Sequence, residues 1–173
     1  MSKKSEPNIL LDSDVVRHFL NGNRIHQLSA IFPNRFVMLD KVKNELCKSK
    51  SLVTPVTNFL SMFKIPVLTF PSKLDIIKEY AMLMKVKKLG EGESACMAVA
   101  RFEKEYIASS NLKDIKAYCA EHGIFYYTTM DLLVEAMSKK IMTEAECDQF
   151  INDVKAKGSK LPCNTMAEYL KMK

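Results

Sequence analysis

Glycine and proline are scarce in this chain, five and six among 173 residues. That scarcity excludes collagen-like and low-complexity architectures. Only three histidines occur, His18, His26 and His122, and they are isolated from one another, so none forms a metal spacing. His122 falls near a helix end, where it suits the dipole. The five cysteines, Cys47, Cys96, Cys119, Cys147 and Cys163, form no C-x-x-C pair, and their number is odd. That usage fits a reducing cytoplasm better than a secreted disulfide framework. Cys96 and Cys119 lie within apolar patterns, as small core residues do. No apolar run is long enough to span a bilayer. Met1-Ser2-Lys3-Lys4 leads into polar residues, so no signal peptide is visible. A cytoplasmic protein without a membrane partner is the expectation.

What is present is ordinary globular composition, 47% apolar and 27% charged. The length suits one domain with a real core. Lys and Arg exceed Asp and Glu by 26 to 20, a net charge of +6. Such a balance favours a polyanionic partner, or simply a solvated lysine-rich surface. Eleven methionines suit gaps in a core, or a groove for a partner helix or strand.

Strand-like and helical segments alternate along the chain. Strands are expected at 9–11, 35–39, 106–110 and 124–127, with 65–70 as an edge strand because Pro66 cannot donate to a central ladder. Helices are expected at 15–20, 25–31 and 41–47, the last opened by Asp40 as N-cap. A loop at 48–54 precedes a short helix at 55–63. The helix at 72–87 carries Leu74, Ile77, Ala81 and Met84 on one face. Further helices fall at 93–103, 111–121 with Gly123 as C-cap, 129–139, 143–154 with a Thr143–Glu146 capping box, and 162–171. This alternation predicts an α/β protein of three layers, a central, mostly parallel sheet flanked by helices. The whole of 1–173 reads as one domain, with a helical insertion about 51–87 and a C-terminal helical extension about 140–173.

The run Ile9-Leu10-Leu11 ends abruptly in Asp12-Ser13-Asp14. Carboxyl ends of parallel strands converge on one edge, where open α/β sheets place their ligands. Asp12 ends the first strand there. Glu45 lies in the helix after the second, Glu93 opens the helix after Leu89-Gly90-Glu91-Gly92, and Ser110 and Asn111 follow a later strand. Each has a plainer reading. Asp12 or Asp14 can cap a helix, Glu45 can be a solvated helical residue, and Glu91 and Glu93 can complement a helix dipole. Three carboxylates in one crevice, however, repel unless a cation sits between them. Hard oxygen ligands suit Mg²⁺ or Mn²⁺, and such an ion activates water against a phosphodiester.

The chain here resembles a known family, the PIN domains, metal-dependent nucleases typical of toxins in type II toxin–antitoxin pairs. The matching segments are Ile9 to Val16, Val37-Met38-Leu39-Asp40 to Glu45-Leu46, and Leu89 to Ala95. Ile107 to Ile124, Thr128 to Leu133 and Lys140 through Gly158 complete the resemblance, which thus covers nearly the whole chain. It implies an acidic site of Asp12, Glu45 and Glu93. Asp12 and Glu93 would be the ligands of Mg²⁺ or Mn²⁺, and Glu45 would position water. Asp14 and Thr129 would flank the site. The family pattern carries Asp after the third strand, where this chain has Ser109-Ser110-Asn111. Ser110 or Asn111 can supply a neutral oxygen but no charge. Asp114 and Asp131 either compensate or are ordinary residues at helix N-termini. Lys41, Lys43, Lys48, Lys50, Lys85, Lys87 and Lys88 flank the Glu45 and Glu93 segments and either guide an RNA backbone or form a solvated surface.

Two functions follow as expectations. The first is a metal-dependent endoribonuclease, a toxin restrained by a cognate antitoxin and homodimeric by analogy. The second is a degenerate, non-catalytic PIN-like module that binds RNA or a protein partner.

Overall fold

Ile9–Leu11 (β1) is apolar at every position and buried at every position, as a strand covered on both faces must be. The computed structural model describes residues 6–173, so Met1–Lys4, read above for a signal peptide, lies outside the described residues. Around β1 stand Phe36–Leu39 (β2), Val67–Leu68 (β3), Tyr106–Ala108 (β4) and Tyr126–Tyr127 (β5), in the order β3-β2-β1-β4-β5. Every pairing is parallel, with Ile9 beside both Phe36 and Tyr106. The sheet is therefore parallel throughout. The chain runs outward from β1 to β3 and then returns to β1's other side as β4. The switch point lies between β1 and β4, and a crevice opens beyond their carboxyl ends.

Ten helices among the described residues cover the sheet. Glu91–Glu103 (α6) packs across β1, β2 and β4 and meets Asp40–Cys47 (α3), Leu74–Lys85 (α5) and Leu112–His122 (α7). Lys50–Met62 (α4) packs on α3. Ser13–Asn21 (α1) and Ile25–Ile31 (α2) pack with Thr129–Ser138 (α8) and Glu144–Ala156 (α9), on which Met166–Met172 (α10) rests. The three-layer α/β/α arrangement stands.

Several local expectations need correction. The stretch 48–54 is not a loop, because α4 starts at Lys50 and holds Pro55 inside it. Val56, Phe59 and Leu60 are buried and Leu52 packs on the core, so the apolar stripe continues a turn earlier. Within segment 51–87 the edge strand expected at 65–70 forms as β3, confined to Val67–Leu68 at the edge of the sheet. Asp40 is not an N-cap. It is the first helical residue, and its Oδ1 accepts the Phe70 N–H at 3.1 Å, tying down the chain after β3. α10 begins at Met166, capped by Thr165, while Leu161 and Cys163 are buried before it.

α5 turns a different face to the core from the one its apolar spacing predicts. Leu74 is 63% and Ile77 41% exposed, whereas Ile76, Glu79 and Leu83 are buried. Glu79 turns inward because it has partners there. The Tyr118 hydroxyl of α7 donates to its Oε1 at 2.8 Å, and Arg101 of α6 meets its Oε2 at 2.8 Å. Burial, then Glu79, pushes the Tyr118 phenol up, so it remains a donor. Removing one member of a buried charged network strands the others. Glu79→Ala is expected to cost on the order of 3 kcal/mol in urea unfolding, and Glu79→Gln clearly less, because an amide oxygen still accepts from Tyr118. Equal midpoints for wild type and Glu79→Ala would contradict this.

Candidate functional site

The crevice beyond β1 and β4 gathers acidic side chains from four elements. Asp12 leaves β1 with its N–H on the Ala108 carbonyl at 2.9 Å, then caps α1, its Oδ1 accepting the Ser13 N–H at 2.7 Å. Capping and site membership are thus compatible. Asp12 is buried, and burial pushes its carboxyl well above the usual range. The charges of Asp14 and Glu93 push it further, against the pull of Ser13 and Ser109.

Asp14, in the first turn of α1, takes the Val15 N–H on Oδ1 at 2.6 Å and the Ser110 N–H on Oδ2 at 2.8 Å. Burial raises it too. Its charge bears on both Asp12 and Glu93, so it belongs inside the cluster. Glu45 reaches over from α3. Its Oε1 accepts the Ser13 hydroxyl at 2.7 Å and its Oε2 the Gly92 N–H at 2.8 Å. Glu93, in the first turn of α6, is raised to about 7 by burial and by the charges of Asp114, Asp14 and Glu45. The Asn111 amide opposes that shift, donating to Glu93 Oε1 at 3.1 Å and to Asp114 Oδ2 at 2.7 Å.

Ser110 continues the network inward. Its hydroxyl accepts the Thr129 N–H at 2.8 Å and donates to Thr129 Oγ1 at 2.7 Å, and Thr129 Oγ1 meets His18 Nδ1 at 2.8 Å. Burial lowers His18 to about 4, so its imidazole is neutral near pH 7. Asp131 stands apart from the acids. Its Oδ2 closes a capping box with Thr128, and its Oδ1 takes Tyr169 at 2.9 Å and Lys173 at 2.7 Å. Burial works to raise it, but the Lys173 ammonium and the Thr128 donors hold it below its ordinary value.

No family model matches the sequence, and no curated protein matches it either. Solved structures do. One is VapBC2 from Rickettsia felis bound to a DNA fragment from their promoter, 15% identical, with 69% of this chain and 97% of that chain covered at a TM-score of 0.51. Another is VapBC-1 from nontypeable Haemophilus influenzae, 16% identical, with 70% and 97% covered at 0.50. The fold is PIN-like. At this identity the likeness speaks for the fold alone.

Within this PIN-like fold, Asp12, Asp14, Glu45, Glu93 and Asp114 converge on one crevice. Among the described residues none of the five pairs with a lysine, arginine or histidine. Cys96 borders them, but burial pushes its thiol well up, so it stays protonated and offers no thiolate. The donors are hard oxygens, and their mutual repulsion is uncompensated. Hard oxygens are the donor chemistry of Mg²⁺ or Mn²⁺. Among the described residues, however, no three Asp, Glu, His or Cys side chains are placed to hold a metal ion as they stand, so an ion here would take few protein ligands and keep water on its other positions.

Ser13, Gly92, His18 and Asp114 are the contributors that sequence patterning undervalued. Gly92 leaves room for Glu45: a Cβ there would lie 2.9 Å from Glu45 Oε2 and 3.2 Å from Val42 Cγ2, so the carboxylate would have to shift. Its signal was the close pair of glycines around Glu91. For His18 the signal was its place one turn after Asp14.

Two predictions follow. Gly92→Ala displaces Glu45 from the α6 amide and is expected to cost about 1–3 kcal/mol in denaturant unfolding; an unchanged midpoint would contradict the contact. The second concerns pH. Between the ordinary value of 4.5 and about 7, the folded chain holds a proton on Glu93 that the unfolded chain has released. The native state therefore binds more protons in that window and loses stability as pH rises through it. His18, lowered by burial to about 4, acts in the opposite sense below its ordinary value of 6.5, so the comparison that isolates Glu93 is with Glu93→Gln. In metal-free protein the thermal midpoint of wild type should fall relative to that of Glu93→Gln from about pH 5 to about pH 7.5, and Mn²⁺ should stabilise wild type more at the upper end. A difference that is flat or rises across that interval would contradict the crowding.

Proposed function

We propose that this protein is a metal-dependent endoribonuclease of the toxin type, restrained by a cognate antitoxin and acting as a homodimer in the cytoplasm. The observation that carries the reading is the set of carboxylates, Asp12 buried and Asp14, Glu45, Glu93 and Asp114 half-buried, that meet without a cationic partner at the switch point of a PIN-like sheet. Asp12 and Glu93 would hold Mg²⁺ or Mn²⁺. Such an ion, when bound, orients and acidifies a water and offsets charge on the phosphodiester. Glu45 spends one acceptor site of each oxygen on Ser13 and Gly92. A carboxylate has further lone pairs, and through these Glu45 positions the attacking water. Ser110 orients Asp14, and Thr129 and neutral His18 orient Ser110. Surface lysines near α3 and α5 favour an RNA backbone.

The antitoxin is carried over from the likeness to VapBC structures, one of them bound to promoter DNA. No helix among the described residues is long and apolar enough to cross a membrane.

The neutral Ser109-Ser110-Asn111 segment favours a second reading, a non-catalytic RNA- or protein-binding module. Against it, Asp14 and Asp114 bring charge to that segment through its own Ser110 amide and Asn111 side chain. Labelled RNA separates the two. Wild type is expected to cleave with Mn²⁺ and stop with chelator, and Asp12→Asn to be slower by about 100-fold or more. Equal residual cleavage by both proteins would remove the nuclease reading, and RNA binding without cleavage would favour the module.

A further inference from the structure

Beside the acid cluster lies a cavity of about 270 Å³ that the roles above leave unused. Leu112, Met130, Leu161 and Pro162 give it an apolar wall, Tyr169 adds an aromatic ring, and Lys160 lies at its edge. Ser110 and Thr128 supply hydroxyl oxygens; their protons go to Thr129 Oγ1 and Asp131 Oδ2, each at 2.7 Å, which leaves acceptor lone pairs for a base N–H. Ser110 is the link to the site, because the same residue donates its N–H to Asp14 at 2.8 Å. The cavity and the carboxylates therefore share a wall.

We propose that this cavity is a subsite for one unstacked nucleobase of the RNA strand, adjoining the phosphodiester at the acid cluster. The proposal rests on the nuclease reading and gives it a specificity element. A base needs flat apolar contact, an aromatic face and hydrogen-bonding groups at its edge, and proteins read single-stranded RNA in this way. All three are present. Tyr169 is held at the cavity wall, since its hydroxyl donates to Asp131 at 2.9 Å and the Lys173 ammonium lies 5.5 Å from its ring centroid. Asp131, the acid that stands apart from the cluster, thereby acquires a task. Lys160 is exposed and meets the adjoining phosphate. An apolar side chain from a protein partner would use only the aliphatic wall and leave the Lys160 ammonium without a partner. The C-terminal extension provides Lys160, Leu161, Pro162 and Tyr169, so its function is to complete the subsite.

The experiment uses the full chain carrying Asp12→Asn, with a short single-stranded RNA and copies of it made abasic at successive positions. One abasic position is expected to weaken binding about tenfold, and the others little. Leu112 is 41% exposed, so Leu112→Trp can fill the cavity without disturbing the core. It should abolish the difference between the parent strand and that abasic strand. Tyr169→Ala should shrink the difference in the same way, which covers a failure of the first variant to fold. Lys160→Ala should weaken both strands alike. Equal binding of every abasic strand, full discrimination by Leu112→Trp and Tyr169→Ala, or no RNA binding at all overturns the subsite. Cleavage by the chain with Asp12 intact is scored separately. Cleavage without a sensitive position sinks the subsite and leaves the nuclease, whereas a sensitive position without cleavage does the reverse.

Discussion

Glu45 joins two helix N-termini with one carboxylate, and the geometry of the crevice depends on it. One oxygen takes the Ser13 hydroxyl at the start of α1, and the other takes the Gly92 N–H at the start of α6. Those bonds bring Asp12 and Asp14 from one helix toward Glu93 from the other. The helix ends gain as well, because each offers orphan donors that favour a negative charge. Gly92 is the steric condition for the arrangement. Nothing larger fits between α6 and the Glu45 oxygen without moving something.

The assembly that results is electrostatically unsatisfied. Asp12, Asp14 and Glu93 are all raised first by burial, and Asp12 and Glu93 then by the neighbouring acids. A fold concerned only with stability would pair or remove such groups, since unpaired buried charge is expensive. Perturbed carboxylates gathered in a cleft are instead the mark of a functional site. The Glu79–Arg101–Tyr118 network elsewhere in the chain makes the contrast. There a buried acid has its cation and its donor, and it serves to join α5, α6 and α7.

The patterns legible in the sequence were those set by local chemistry. β1 was visible because a strand covered on both faces reads as an unbroken apolar run. The Gly123 C-cap and the Thr143–Glu146 box were visible because each is completed within a few residues. Asp12 could be named from its strand-to-helix junction, Glu93 from its place at a helix start after a glycine-rich turn, and Glu45 from the helix that follows β2. What escaped depended on partners distant in sequence. Glu79 faces inward only because Arg101 and Tyr118 await it, so the apolar face assigned to α5 came out wrong. Asp14 looked peripheral until the Ser110 amide, beyond β4, proved to hold it. Asp131 looked like a neighbour of the site, but Tyr169 and Lys173 draw it toward the terminal helix. The fate of Pro55 was similar, because packing of Val56 and Phe59 carries α4 through a residue that locally argues against it.

The divalent cation proposed for this crowded crevice is decided by anomalous diffraction from crystals soaked in Mn²⁺. A single strong peak is expected within ligand distance of Asp12 and Glu93, lost in crystals of Asp12→Asn. Crystals with no peak at the cluster, or with Mn²⁺ bound only elsewhere on the surface, would contradict it.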